Sequence, residues 1–401
     1  MATQRFSESR LSRMNEALAR HVERGYAPGL VSLVSCRGEE YAFARGTFAF
    51  GGGAPMTRNT IFRLASMTKP ITAVAAMILV EECKLRLDDP VDRLLPELAN
   101  RRVLRALDAP LQDTVPARRS ITLRDLLTFR CGYGEVVFAA PRAPLQGALL
   151  ESALPLSVWP FAGTPDEFMQ RIGALPLACQ PGERWLYHMP AEILGLLIAR
   201  ASGMSLGTFM RQRIFEPLGM KDTSFSVSEE KLPRLPTCYV SEFATGKLVV
   251  RDEARGLWAR PPQFEGGGGG LVSTIDDLHA FGRMLLQGGR FGDERILSRV
   301  SIEVMTADQV SSAEKDASPF FPNFWERCGW GLGIGIITNR ADVGRSEGSF
   351  GWDGAFGTSF WCDPKKDLVG VLMVQRSPDA LTFANPLSSD FWTSCYQAID
   401  D

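Results

Sequence analysis

The sequence predicts a mixed α/β (α+β) fold, with a central antiparallel sheet flanked by helices and an inserted, mainly helical domain. Three observations predict it: the N-terminal part reads as a helix and two strands, the middle third as helices between proline-rich loops, and the last third as strands and helices again. The simplest architecture is an α/β domain of 1–75 and 265–401, with 76–264 forming the helical domain.

The first element is an amphipathic helix over 7–24, where Leu11, Met14, Leu18 and Val22 recur at steps of three and four. The stretch GLVSLVSCRGEEYAFARGTFAF follows, and its apolar and β-branched runs are broken by two Arg-Gly pairs. That pattern is typical of antiparallel strands joined by tight turns.

A long helix is expected from Ser66 to about Cys83, because an unbroken apolar run follows the serine. The later elements are predicted from hydrophobic periodicity and from the Gly and Pro residues that separate the periodic stretches. The expected helices are 90–96, 123–128, 165–174, 190–201, 205–215, 276–286 and 386–398, and the expected strands are 329–337, 355–362 and 368–375.

Charge and hydropathy exclude several classes of partner. A formal net charge of -2 and a pI near 6.1 provide no field that would gather nucleic acid or an anionic membrane. The charged N-terminal stretch has no apolar core of a secretory signal, and the longest apolar run, Ile71 to Val80, is shorter than the roughly 18 residues that cross a bilayer. A cytoplasmic protein is expected, with its eight scattered cysteines reduced.

No metal or other cofactor is expected. His21, His188 and His279 are far apart, and none has a second His or a Cys at a helical ligand spacing. The glycine run 266–270 lacks the lysine and the spacing of a phosphate-binding loop.

Two serines compete for the role of nucleophile. Ser205 lies in GMSLG, the G-x-S-x-G pattern of hydrolases, but it follows one helical stretch and precedes another, whereas a nucleophile elbow joins a strand to a helix. Gly203 is therefore read as a helix C-terminal glycine and Ser205 as the next N-cap. S-x-x-K occurs three times, from Ser66, Ser228 and Ser312, and the last two lie in polar stretches expected to be solvated loops.

Ser66 differs because it precedes a buried helix. One turn later Lys69 shares its face, and burial disfavours the charged form of a lysine, so the amine could take the serine proton. The positive end of the helix dipole would favour negative charge developing there. On this pattern alone, an N-cap serine with a snorkelling lysine remains an equal alternative.

Several further segments, in order, resemble one family: FRLASMTKPITAVAAM, LRLDDPVDRLLPEL, ITLRDLLTFRCGYG, PGERWLYHMPAEILGLLIARASG, IFEPLGMKDTSF, GGGGGLVSTIDDL and FGWDGAFGTSFWCDP. The chain resembles the serine β-lactamase-like superfamily of class C β-lactamases, penicillin-binding DD-peptidases and family VIII carboxylesterases, and is most similar to the last group. The resemblance implies a β-lactamase/DD-peptidase-like fold.

The resemblance also implies the site. Ser66 would be the nucleophile, Lys69 its partner and Tyr187, in the family's Y-x-N or Y-S-x position, a second base acting as phenolate or phenol. The backbone N–H groups of Ser66 and Ala355 would form the oxyanion hole. The third motif, K-T-G in lactamases, falls on the tripeptide from Trp352 to Gly354.

Departures from the family pattern point to the subclass. Met189 replaces an asparagine that helps orient substrate amides, and Trp352 replaces a lysine or histidine that would pair with a substrate carboxylate. A tryptophan packs on an uncharged apolar ester instead. Phe129 and Cys131 replace the His and Ser of the commoner H-T-S-G sequence, which makes the local surface more apolar.

The expected substrate-binding residues include Trp352 and Phe129, two of the positions at which the chain departs from the family pattern. Asp353 is expected to be structural, because neighbours on a strand point to opposite faces. His188 either tunes or relays protons beside Tyr187 or is a rim residue without a role. Trp352, Gly354, Phe129, Trp185, His188 and Phe356 are the substrate-binding candidates, and Phe350 is a further aromatic that could line the pocket.

The function expected from the sequence is that of a serine carboxylesterase acting on uncharged esters of short or medium acyl chains, with a small-molecule ester as its partner. An acyltransferase that passes the acyl group to another acceptor is the alternative. A β-lactamase or D-amino-acid peptidase is disfavoured by Trp352 and Met189, and an idle binding module by the intact set of Ser66, Lys69 and Tyr187.

Overall fold

The computed structural model describes residues 6–135, 144–154, 160–242, 245–340, 342–380, 382 and 384–400. Two loops, 108–118 and 135–165, are expected from the sequence to shape substrate specificity. The first is described, whereas 136–143 and 155–159 of the second lie outside the described residues.

The centre of the fold is one eight-stranded antiparallel sheet. Its strands, in chain order, are β1 Gly29–Cys36, β2 Glu39–Ala49, β3 Gly52–Pro55, β4 Cys328–Trp330, β5 Gly335–Ile337, β6 Phe350–Asp353, β7 Ser359–Asp363 and β8 Leu368–Val374. Their spatial order is β4-β5-β6-β7-β8-β1-β2-β3. The two ends of the chain therefore meet in mid-sheet, where Leu30 pairs with Val374 and Cys36 with Leu368, and the predicted fold class is confirmed.

The long helices are α1 Glu8–Glu23, α2 Thr68–Glu81, α3 Met189–Ser202, α4 Ile275–Leu286 and α5 Pro386–Ala398. All but α3 pack on the sheet, and α3 packs on α2. Shorter α-helical segments are Leu123–Leu127, Pro144–Glu151, Pro165–Gly173, Leu206–Met210, Glu216–Leu218, Arg299–Met305, Ser312–Asp316 and Phe324–Arg327. There are 3₁₀ turns at Ala65–Met67, Val91–Arg93, Pro96–Leu98, Leu232–Arg234 and Leu257–Ala259, and a π-helical turn at Arg211–Phe215.

Four short two-stranded ladders complete the described secondary structure. They pair Phe62–Arg63 with Val272–Ser273, Arg102–Leu104 with Thr114–Pro116, Cys238–Ser241 with Leu248–Asp252, and Arg290–Phe291 with Glu294–Arg295.

Helices cover both faces of the sheet, which explains why β1 and β8 are buried along their whole length. Val31 and Leu33 on β1 belong to the core that includes α2 and α4, whereas Leu30 and Val34 pack with α1 and α5. The alternation follows from the two-residue period of a strand.

Some elements differ from the sequence predictions. The run 329–337 is a hairpin of β4 and β5 instead of one strand, because Gly333 adopts φ +72 and the Gly331 N–H donates to the Ile334 carbonyl at 2.8 Å. The helix expected over 90–96 is two 3₁₀ turns, and the one over 205–215 becomes π-helical after Met210. Strand β6, at Phe350–Asp353, is an element that the sequence does not predict.

Among the described residues, no single helix has the length and hydropathy to cross a membrane, although the bent pair Met189–Ser202 and Leu206–Leu218 meets that criterion jointly.

Candidate active site

The site begins at the 3₁₀ turn Ala65–Met67, which leads into α2 and packs against β6. Ser66 is only 4% exposed. Its neighbour Ala65 has φ +49, a left-handed conformation that is unusual for a residue with a Cβ. Such strain persists only where the surroundings impose it, and it is concentrated at functional sites. The fold thus holds Ser66 in a fixed, strained turn at a helix N-terminus.

Lys69 lies one turn further along, and its side chain is buried beside Ser66. Its Nζ is 2.9 Å from Ser66 Oγ and 2.6 Å from the Gly268 carbonyl oxygen. Burial lowers the pKa of the Lys69 amine to about 7, although the charges of Glu192 and Glu135 act in the opposite direction. A substantial fraction of the amine is therefore neutral near pH 7, so the snorkelling alternative does not hold.

Tyr187 lies on the other side of the lysine. The Lys69 Nζ is 4.6 Å from the centre of its ring, its hydroxyl is in hydrogen-bonding contact with Ser66, and the Trp352 Nε1–H donates to that hydroxyl at 2.6 Å. Burial is the largest influence and raises the pKa of the Tyr187 phenol well above its usual range, against both hydrogen bonds. The resting residue is thus a neutral phenol.

The predicted third motif lies at the end of β6. Gly354 packs directly against the Leu64 carbonyl and Thr358 Oγ1, so a side chain there would collide with the backbone that carries Ser66. The turn that follows closes through the Gly357 N–H, which donates to the Gly354 carbonyl at 3.0 Å, and Ala355 is exposed on it. This close approach brings the Ala355 turn next to the Ser66 turn.

Asp353 points away from the site, as the strand alternation predicts. Its carboxylate accepts hydrogen bonds from the Ser359 hydroxyl and, at 3.1 Å, from the Trp361 Nε1–H. Its role in these contacts is structural.

The aromatic candidates divide into two groups. Phe129 and Trp185 are nearly fully buried behind Tyr187, with the Trp185 ring stacked on Tyr187 at a centroid distance of 5.5 Å. They therefore support Tyr187 from behind. Phe356 is fully buried beside Trp258, in a separate cluster that includes Ala65, so it packs the core instead of facing an open pocket.

Phe350 does not join the aromatic cluster either, since it is buried in the main core. Three aromatic residues that sequence reasoning missed do contact the site: Phe320 is 5.0 Å from the Tyr187 ring, and Trp330 and Phe324 are 4.6 and 6.0 Å from the Trp352 ring. No periodicity in the sequence could have located them, because the contacts are made between segments that are distant in the chain.

His188 is buried beside Lys69, so the rim alternative is wrong. Its Nδ1 is 3.3 Å from Lys69 Nζ and its Nε2 is 3.2 Å from Glu192 Oε1. Burial is the main cause that lowers the pKa of the His188 imidazole, and the nearby Lys69 charge acts in the same direction. Glu192, one turn further on α3, was not predicted, although its i,i+4 spacing from a histidine was available in the sequence.

Glu135 is a second missed group. Burial raises the pKa of its carboxyl to about 8 against the opposing charge of Lys69. It is held beside Tyr187 by a backbone bridge in which the Glu135 N–H donates to the Tyr187 carbonyl at 2.9 Å. Only the fold brings these two segments together.

Ser205 plays the capping role predicted for it. Its side chain accepts from the Thr208 N–H at the start of Leu206–Met210, and Gly203 ends α3 with φ +71. The other two S-x-x-K serines, Ser228 and Ser312, are both exposed. Ser312 begins a short helix instead of lying in a loop. Within the described ranges, no group of three or more His, Cys, Asp or Glu side chains is arranged to hold a metal ion.

The Beta-lactamase family model matches residues 14–387. The chain belongs to the beta-lactamase family. One relative, Protein Rv1367c of Mycobacterium tuberculosis (strain ATCC 25618 / H37Rv), is 37% identical over 339 residues, which cover 82% of this chain and 80% of that protein.

Other members of the family have names that state an activity. Esterase EstB of Burkholderia gladioli is 27% identical over 372 residues, covering 88% of this chain and 87% of its own. Unliganded simvastatin synthase (LovD) from Aspergillus terreus matches the structure with a TM-score of 0.79 and 25% identity, covering 97% of this chain and 98% of the other. Further matching relatives are named acyltransferases. The chain is thus a member of a group that contains esterases and acyltransferases.

Proposed function

We propose that this protein is a serine carboxylesterase that hydrolyses uncharged esters of short or medium acyl chains through an acyl-enzyme on Ser66. The observation that carries the proposal is the 2.9 Å contact between the Lys69 amine and the Ser66 hydroxyl, in surroundings that bring the pKa of that amine to about 7. A neutral amine at this distance can accept the hydroxyl proton as Ser66 Oγ attacks the ester carbonyl.

The negative charge that develops on the carbonyl oxygen needs donors fixed in advance. The backbone N–H groups of Ser66 and Ala355 are the proposed donors, because the turns that carry them are pressed together where Gly354 meets the Leu64 carbonyl. Donors of this kind stabilise the tetrahedral intermediate without reorganisation, and removal of one typically costs about 10²- to 10³-fold in rate.

Tyr187 is the proposed acid for the leaving alcohol. Because its raised pKa keeps the phenol protonated, the hydroxyl can give its proton to the departing alkoxide. The phenolate left behind accepts the hydrogen bond from Trp352 Nε1 and regains a proton from the Lys69 ammonium, which lies against its ring. Water then attacks the acyl group, passes its proton to the same pair, and Ser66 leaves protonated.

The preference for uncharged substrates rests on Trp352. Its Nε1–H is already engaged by Tyr187, so at this position the site presents an indole ring where lactamases have a cation. Phe320 and Phe324 extend the apolar surface beside it. An apolar ester would bury its chain on these rings, whereas a carboxylate would be desolvated without a partner there.

Transfer to an acceptor other than water is the second candidate. The relatives that are named acyltransferases support it as directly as EstB supports hydrolysis. Both candidates share the Ser66 acyl-enzyme and differ only in the second half-reaction. Product analysis in mixtures of water and a primary alcohol distinguishes them, since a transferase forms the new ester faster than the free acid.

The test of the common step is chemical labelling. The protein is treated with an activated ester or an alkyl phosphonate, digested, and mapped by mass spectrometry. The adduct is expected on the peptide that contains Ser66 and absent in Ser66→Ala, while Ser205→Ala is labelled normally. Esterase activity that survives in Ser66→Ala, or an adduct on Ser205, would refute the proposal.

A further inference from the structure

Tyr187 and His188 are neighbours in the chain, yet both side chains face Lys69. The reason is a γ-turn centred on His188, with φ +72 and ψ -66, closed by the Met189 N–H, which donates to the Tyr187 carbonyl at 3.0 Å. A turn of this hand is strained in any residue that has a Cβ, and such strain is characteristic of functional sites. Its effect here is to place an imidazole, as well as a phenol, against the lysine.

The position of the His188 proton follows from its partners. Nε2 is 3.2 Å from Glu192 Oε1, close enough for a bent hydrogen bond to that carboxylate, and it has no other hydrogen-bond partner among the described residues. Both side chains are almost completely buried, at 2% and 5% exposure. A carboxylate only accepts hydrogen bonds, so the imidazole proton lies on Nε2 and Nδ1 presents its lone pair to Lys69.

Glu192 is held in place by the glycine run. A Cβ on Gly268 would lie 2.6 Å from one carboxylate oxygen of Glu192, and a Cβ on Gly266 would lie 3.0 Å from the other. Behind the carboxylate, a cavity of about 20 Å³ is lined by Glu192, Gly266 and Trp258. That volume accommodates one water molecule, which can hydrate the second oxygen of the carboxylate.

The hydrogen-bond partners of the Lys69 amine determine where its lone pair points. A neutral amine has two N–H hydrogens and one lone pair, and Nζ has three polar neighbours at 2.6, 2.9 and 3.3 Å. The Gly268 carbonyl can only accept. His188 Nδ1, with the proton on Nε2, can also only accept. Both hydrogens are therefore used, and the lone pair is left facing the third neighbour, Ser66 Oγ.

We infer that His188 and Glu192 are positioning residues: Glu192 fixes the tautomer of His188, and His188, together with the Gly268 carbonyl, aims the lone pair of neutral Lys69 at the Ser66 hydroxyl. The inference rests on the proposed acyl-enzyme at Ser66. With the opposite tautomer, Nδ1–H would donate to the lysine lone pair and turn it away from the serine.

The protons balance in this scheme. When Ser66 Oγ forms its bond to the acyl carbon, its proton moves to the lysine lone pair and makes an ammonium. The ammonium has three hydrogens, directed to the Gly268 carbonyl, to His188 Nδ1 and to Ser66 Oγ. No proton passes through His188 or Glu192 in this scheme, so neither residue gains or loses one in the reaction.

The first test compares His188→Asn with His188→Leu, two side chains of similar size. Asn Oδ1 can occupy the place of Nδ1 and accept the lysine hydrogen, whereas Leu cannot. The acylation rate of Ser66, measured as the pre-steady-state burst with an activated ester, is expected to fall roughly 10- to 100-fold in His188→Leu and to be largely retained in His188→Asn. Thr72→Val is the matched structural control, because the Thr72 hydroxyl is buried one turn from Lys69 and its hydrogen bonds go to the Thr68 and Gly267 carbonyls, at 3.2 and 2.7 Å.

The second test is Glu192→Gln, read as a pH profile of the burst. The ionisable groups of the described residues that face Lys69 are Glu135, Tyr187, His188 and Glu192. Loss of the Glu192 charge lowers the lysine pKa, so the acid limb is expected to move to lower pH, while the plateau falls because the amide permits the other tautomer. A merely structural defect lowers the plateau and leaves the limb in place.

The possible outcomes distinguish the positioning role of His188 and Glu192 from the proposed acyl-enzyme at Ser66. Equal burst rates in wild type, His188→Leu and Glu192→Gln, with Ser66 still carrying the adduct, would overturn the positioning role and leave the proposed function intact. So would a lower plateau in Glu192→Gln without movement of the limb. No adduct on Ser66 in the wild-type protein would overturn the proposed function itself.

Discussion

The burial of Lys69 predicts the pH at which the protein gains activity. A lysine with its ordinary pKa of 10.5 would be neutral in about 3 of 10⁴ molecules at pH 7, whereas a pKa of about 7 makes roughly half of the molecules neutral. Burial therefore raises the reactive fraction roughly 10³-fold at neutral pH. Since the deprotonated amine is the active form, kcat/KM should rise with pH and level off above about 7.

The assay is initial-rate hydrolysis of a neutral alkyl ester, followed by titration of the released acid between pH 5 and 10 at constant ionic strength. The midpoint of kcat/KM reports the free enzyme, so it is compared directly with the unliganded site. Circular dichroism at each pH excludes unfolding as the cause of a change in rate. Ser205→Ala serves as a matched serine variant and should give the same profile.

The effect of Glu135 on the pH dependence of kcat/KM provides a further test of the lysine pKa. The pKa of its buried carboxyl is raised to about 8, so the two groups ionise in overlapping ranges and the apparent values belong to the pair. Glu135→Gln removes a negative charge that favours the lysine ammonium. The midpoint in this variant should therefore stay in place or move to lower pH.

Three results would refute the reasoning. The first is a kcat/KM that keeps rising about tenfold per pH unit through pH 9, as for a solvated lysine. The second is a profile that is flat down to pH 5. The third is a midpoint that moves to higher pH in Glu135→Gln.

Other substitutions test other parts of the site. Trp352→Phe removes the N–H donor to Tyr187 and should lower kcat about 3- to 10-fold, which corresponds to the free energy of one neutral hydrogen bond. Circular dichroism should show an unchanged fold. An unchanged kcat would exclude a phenolate in the rate-limiting step. Ser205→Ala should keep full activity but lose about 1 kcal/mol in denaturant unfolding, since only a helix cap is removed. Gly354→Ala should cost more than about 2 kcal/mol in the same assay, because the new Cβ meets the fixed Leu64 carbonyl; a wild-type midpoint would contradict that close approach.

The long elements and the central chemistry could be predicted from the sequence. α1, β1, α5 and the helix after Ser66 have strong apolar periodicity or uninterrupted apolar runs, and these local patterns determine their limits closely. The capping role of Ser205 was predictable for the same reason, because Gly203 and the helix that follows lie within a few residues of it.

Only the tertiary structure decided how the lysine is held. Glu135 and Gly268 lie 66 and 199 positions from Lys69, and a contact at such a separation has no periodic signature in the chain. For His188 the sequence left open a role in tuning or relaying protons and a rim position without a role, because the residue type alone does not determine the positive φ that turns its side chain toward Lys69. The sequence by itself determined which residues could react, whereas the fold determined their burial and their partners. Proton affinities depend on burial and nearby charge, which arise only when distant segments pack together.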